Sequence, residues 1–137
     1  MSGRLEENGL VRLNTRTAVN LNAAPASDMS LYEVPSGKNA IVTQVIIRSV
    51  SADALLAVVT FGRYLDGNCD QWLSDITLAA LDATDKVGII NKGLSDLTIL
   101  HAQDLLVAGD EFGVQITTAA GAGSTCTMDT FGYEFDA

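Results

Sequence analysis

The chain has almost no imidazole: His101 is its single histidine. A nucleophile activated by histidine needs that base beside a serine or cysteine in the right context, and a cupin-type metal site collects several histidines. No serine here stands in a nucleophile elbow, and His101 follows Leu97 and Ile99 at strand spacing, so it reads as a strand-end residue and no catalytic residue is assigned. Cysteine is nearly as scarce. Cys69 and Cys126 lie far apart in sequence, with neither the C-x-x-C spacing nor the Cys/His spacing of a zinc or redox site, and they read as two reduced structural thiols, a disulfide between them being left open. No metal and no cofactor is expected.

Basic side chains are also few. Eight Lys and Arg against seventeen Asp and Glu give a net charge of −9, which sets the chain against phosphate backbones and anionic lipid, so neither nucleic acid nor membrane is an expected partner. Long apolar runs are missing: the longest, Leu55–Val59, falls far short of the roughly 18 residues of a membrane span. The first ten residues carry acids where a secretory signal would place a basic and then an apolar stretch, which argues against export by that route. Gly121-Ala-Gly123 lacks the third glycine of a dinucleotide loop, and no pair of acids is singled out by a spacing that would suit glycoside hydrolysis.

What the chain does have is alternation. At 137 residues it fits one domain, which can remove roughly two-thirds of its unfolded surface from water without staples. Asn39–Arg48 and Glu111–Thr118 alternate with period two, and Leu55–Arg63, Lys86–Ile90, Leu97–His101 and Thr125–Phe135 add further strands. In the first of these, Ile41, Val45 and Ile47 are placed on one face with Thr43, and Val42, Ile46 and Val50 on the other. Phe112, Val114, Ile116 and Thr118 share a face of the 111–118 strand, and Phe131, Tyr133 and Phe135 share one of the last. Asp75–Leu81 fits neither a helix nor a strand period decisively. Val34-Pro-Ser-Gly-Lys38 is a turn, read with Pro35 at its first corner and Gly37 at its last position; Asn91-Lys-Gly93 and Gly109-Asp110 are turns as well. No 3.6-residue stripe is sustained. The expected fold is all-β: an antiparallel jelly-roll-like β-sandwich of about eight strands with an extended N-terminal arm.

The arm is set at residues 1–28, with room in it for one edge strand, and the sandwich at 29–137. Charge separates them. Residues 1–30 hold Arg4, Arg12 and Arg16 against Glu6, Glu7 and Asp28, so the whole −9 belongs to residues 31–137. A neutral, arginine-bearing arm thus precedes an acidic body.

One loop could hold a ligand. Tyr64-Leu-Asp-Gly-Asn-Cys-Asp-Gln-Trp72 is polar and bracketed by aromatics, and Asp66, Asn68 and Asp70 stand at the alternate positions with which a calcium loop begins. Gln71 then replaces the required glycine and Thr77 the bidentate glutamate, which favours a plain acidic turn over a cation site. Trp72 and Tyr64, with Tyr32, could stack a sugar; the competing reading places Trp72 over the core or a subunit contact.

The run Leu31–Arg48, then Thr60-Phe-Gly62, Gly109–Val114 and Asp129–Phe135, resembles small β-sandwich virion-associated proteins of tailed bacteriophages, of the capsid decoration, cement or head-fibre type. The resemblance covers residues 29–136 and rests on turns and strands. It implies a non-enzymatic structural protein, a homotrimer on the capsid surface of the virion, made in the bacterial host cytoplasm and bound to the phage major capsid protein. The arm lies outside the resemblance, and Arg4, Arg12 and Arg16 are its candidate attachment residues. The alternative is a carbohydrate- or host-surface-binding module that reads its ligand through Tyr64, Asp66, Asn68, Asp70 and Trp72.

Overall fold

The computed structural model describes residues 10–25, 27–64, 69, 72–91 and 105–137, and among them there are nine strands and no helix. In chain order these are β1 (Val11–Asn20), β2 (Ser27–Glu33), β3 (Lys38–Arg48), β4 (Val58–Arg63), β5 (Leu73–Thr77), β6 (Gly88–Asn91), β7 (Leu105–Val107), β8 (Glu111–Thr118) and β9 (Thr125–Asp136). They form two sheets, one in the order β1-β9-β3-β6 with β7 also on β3, the other in the order β2-β8-β4-β5. Every pairing is antiparallel. Because β7 pairs Asn39–Ile41 and β6 pairs Gln44–Ile47, the two short strands occupy one position along β3. The chain crosses from sheet to sheet in the wrapped order of a jelly roll, as the alternation predicts.

Between the sheets lies one apolar core. Phe61, Trp72 and Phe112 form its aromatic centre, with Phe61 and Phe112 stacked at 6.2 Å and Trp72 edge-on to Phe112 at 5.2 Å. Phe112, Val114 and Ile116 all point inward, as their shared parity requires, whereas Thr118 at the strand end is exposed.

A β-bulge decides which residues of β3 reach that core. Val42 pairs with Gly132 and Gln44 with Phe131, which leaves Thr43 as an extra residue. One extra residue reverses the side-chain parity, so Ala40 and Val42 face inward before it, and Val45 and Ile47 after it. Ile41 is therefore not on the face of Val45 and Ile47, as strict alternation placed it, but on the opposite, outer face. On β9 the inward residues are Cys126, Met128 and Thr130, and Phe131, Tyr133 and Phe135 stand half-buried on the outer side.

Residues 1–28 do contain the edge strand that the sequence allowed there. Val11–Asn20 is a full edge strand on β9, and Asn14 and Arg16 donate across the sandwich edge to the Leu31 and Ser30 carbonyls at 2.6 and 2.9 Å. Most of the described arm thus belongs to the sandwich; two register shifts hid it by breaking its alternation. The ambiguous 75–81 segment contributes the end of edge strand β5. The 34–38 turn closes one residue later than expected: the Lys38 amide donates to the Pro35 carbonyl, which puts Gly37, at φ 78°, on the corner that demands a positive φ. The expected strand at 97–101, with His101, and the turn at 91–93 fall largely or wholly outside the described residues.

Candidate functional site

The ligand-loop residues do not converge on a described site. Trp72 is buried, its Nε1–H donated to the Val42 carbonyl at 3.2 Å and its ring packed on Phe61 and Phe112, so neither of its faces can stack a sugar. Tyr32 is likewise buried, donating its hydroxyl to Glu134 at 2.7 Å, and Tyr64 alone of the three aromatics reaches the surface. Asp66, Asn68 and Asp70 lie outside the described residues. Among the described residues no group of acids, histidines and cysteines is arranged to hold a metal. Both cysteines are buried, and burial pushes the Cys126 thiol up to about 12, which makes it unreactive at neutral pH.

A shallow, open cleft of about 520 Å³ lies at one end of the sandwich, lined by Glu33, Val34, Pro35, Ser36, Ala108 and Gly109. Its one ionisable lining residue is Glu33. That is too little convergent polar chemistry for a small-molecule site.

The surface that stands out is the outer face of the first sheet. Pairing registers place its residues in rows: Val107, Asn39 and Phe135; Leu105, Ile41 and Tyr133; Asn91, Gln44, Phe131 and Arg12; Ile89, Ile46, Asp129 and Thr15. Side chains opposite one another in a sheet share a face, so the first two rows make an apolar field that Phe131 extends toward Ile46 and Ile89, past the polar pair Gln44 and Asn91. Ile89, Leu105 and Val107 are 63%, 43% and 48% exposed, and Ile41, Ile46, Phe131, Tyr133 and Phe135 are partly so.

One corner of this face carries a polar network. Arg48 Nε donates to Asp129 Oδ2 at 2.6 Å, and Thr15 donates to Asp129 Oδ1 at 2.6 Å. The hydrogen bond from Arg48, aided by that from Thr15 and by the nearby charges of Arg48 and Arg12, holds the Asp129 carboxyl below the ordinary carboxylate range despite its burial. A carboxyl depressed in this way stabilises the fold above its unfolded value of about 3.9, and that contribution is lost as pH falls through the lower folded value. Asp129→Asn is therefore expected to lower the melting midpoint by a few °C at pH 7, with the gap narrowing as pH falls below the unfolded carboxylate value of about 3.9. Parallel melts of the two proteins across pH 2.5–7 check this, and a gap that stayed constant would contradict it.

The attachment candidates divide. Arg12 and Arg16 are exposed on β1, Arg12 beside Asp129 and Arg16 turned toward Ser30, and Arg4 lies outside the described residues. Nothing in the residue order marks the Thr15–Asp129–Arg48 network, because its members lie on three strands distant in sequence and meet only through register.

No family model matches the sequence, and no curated protein sequence matches it. In fold, the chain is similar to a chain of the solved acid-stable capsid structure of Helicobacter pylori bacteriophage KHP30, with a TM-score of 0.50 at 13% identity, over 95% of this chain and 99% of that one. The likeness is one of architecture.

Proposed function

We propose that this chain is a structural protein of a phage virion, a decoration or cement protein that works through protein contacts rather than catalysis. The observation that carries this reading is the end-to-end likeness of fold to a chain of a phage capsid structure. An exposed apolar sheet face fits the same role, since it is a contact surface without reactive chemistry.

On this reading the partner is the major capsid protein, and copies associate as a homotrimer so that contacts weak one by one gain from a high effective concentration. Attachment runs through the N-terminal segment. In support, residues 1–30 carry none of the chain's net charge, and Arg12 and Arg16 are exposed on the edge strand. The glycan-reading alternative has no observation in its favour, because its principal aromatic is buried.

Mass spectrometry and electron cryomicroscopy of purified virions of the parent phage test the reading. The protein is expected in many copies on the capsid exterior, and its absence from the virion would end the proposal. For attachment, removing residues 2–9 together with Arg12→Ala and Arg16→Ala is expected to weaken binding to capsids stripped of the protein by at least roughly tenfold. Unchanged binding would remove the segment from the mechanism. A longer deletion through residue 27 would be uninformative, since it strips β1 from β9.

A further inference from the structure

The outer face of the first sheet combines features that an isolated sandwich has no use for. Its apolar residues leave on the order of 500 Å² of apolar surface together, at the upper end of what monomers show in one patch. A stable interface buries about 800 Å² per partner, of which somewhat over half is apolar. The apolar field, interspersed with Asn39 and Gln44 and bordered by Arg12 and Arg48, matches both the size and the mixture.

Charge narrows the occupant. Strand residues on this face include three charges, Arg12, Arg48 and Asp129, for a net of +1, in a chain whose total is −9. Two copies approaching by their acidic surfaces repel each other, whereas an approach through this nearly neutral face avoids most of that repulsion. From the area and this near-neutrality in an otherwise acidic chain we infer that the outer face of β9, β3, β6 and β7 is the surface by which one copy of this chain packs on a second. The inference refines the oligomeric part of the virion reading by naming the face; it holds or fails whatever capsid the oligomer decorates.

Ile89 and Val107 offer clean tests, because both are about half or more exposed in the single chain and neither fills the core. Light scattering coupled to size exclusion, on the full chain at about 10–100 μM, is expected to give an oligomer that Ile89→Lys or Val107→Lys weakens at least tenfold, since a lysine at a closed apolar contact costs more than the 1.4 kcal/mol of one decade. Melting midpoints of the variants, taken at concentrations where each is monomeric, should match. Leu56, equally exposed at 63% but on the loop before β4, supplies the control, and Leu56→Lys should leave the mass unchanged. A wild-type monomer at 100 μM overturns the inference. So does an oligomer that both face variants leave intact, which would spare the oligomeric reading and reject only this face; dissociation by Leu56→Lys to the same degree would reject it too.

Discussion

Gly132→Ala is expected to cost about 3–5 kcal/mol and to lower the melting midpoint by on the order of 10–20 °C. Gly132 sits in β9, between β1 and β3, paired with Val11 on one side and with Val42 on the other, directly beside the Thr43 bulge. A methyl group added there would fall on the Ile41 carbonyl oxygen and within 2.9 Å of the Val42 Cα. Both obstacles are backbone, so no rotamer change relieves the overlap, and the two central strands would have to part. Gly123→Ala is the matched control, since nothing lies within 4 Å of the position its Cβ would take and its φ is not positive. Thermal and urea denaturation of both variants decide the matter. A Gly132→Ala protein within 1 kcal/mol of wild type would mean that the bulge is not locked as described.

Trp72→Ala carries the second large expected effect, a loss of about 3–5 kcal/mol, as for truncating any large buried aromatic. The ring packs edge-on against both Phe61 and Phe112, and its Nε1–H satisfies the Val42 carbonyl just before the bulge. Trp72→Phe keeps most of the apolar volume but gives up that hydrogen bond, so its cost should be clearly smaller, about 1–2 kcal/mol. Urea unfolding curves of the two variants separate packing from hydrogen bonding; equal losses would show that the indole N–H, not ring volume, dominates. The prediction also bears on any binding assay. Lost binding in Trp72→Ala would report a damaged core, so the exposed Tyr64 is the residue with which to probe the 64–72 loop.

The hidden part of the fold traces to a few irregular residues. From Glu111 to Ile116 the alternation is unbroken, so the buried face of that stretch follows from sequence parity alone; Thr118, past a register shift against β4, departs from it. β1 contains register shifts on either side of Asn14–Arg16 and a positive φ at Ala18, and a strand so broken shows no period to read. β7 is a three-residue strand, shorter than any periodicity can announce. The candidate contact face was half legible. Phe131, Tyr133 and Phe135 lie on one side as alternation predicts, but that this side is the outer one depends on where the opposite sheet sits.

The residue pattern by itself determined that this is a β-protein poor in catalytic groups, with turns near residues 34–38 and 109–110 and with its net negative charge confined to residues 31–137, because these depend on local spacing and composition. Only the tertiary structure decided that Ile41 faces outward, that Trp72 is core, that residues 11–20 close the sheet edge, and that Thr15, Arg48 and Asp129 meet. The physical reason is shared: a single inserted residue exchanges the two faces of a strand, and pairing between strands a hundred residues apart is set by the whole sheet rather than by either segment.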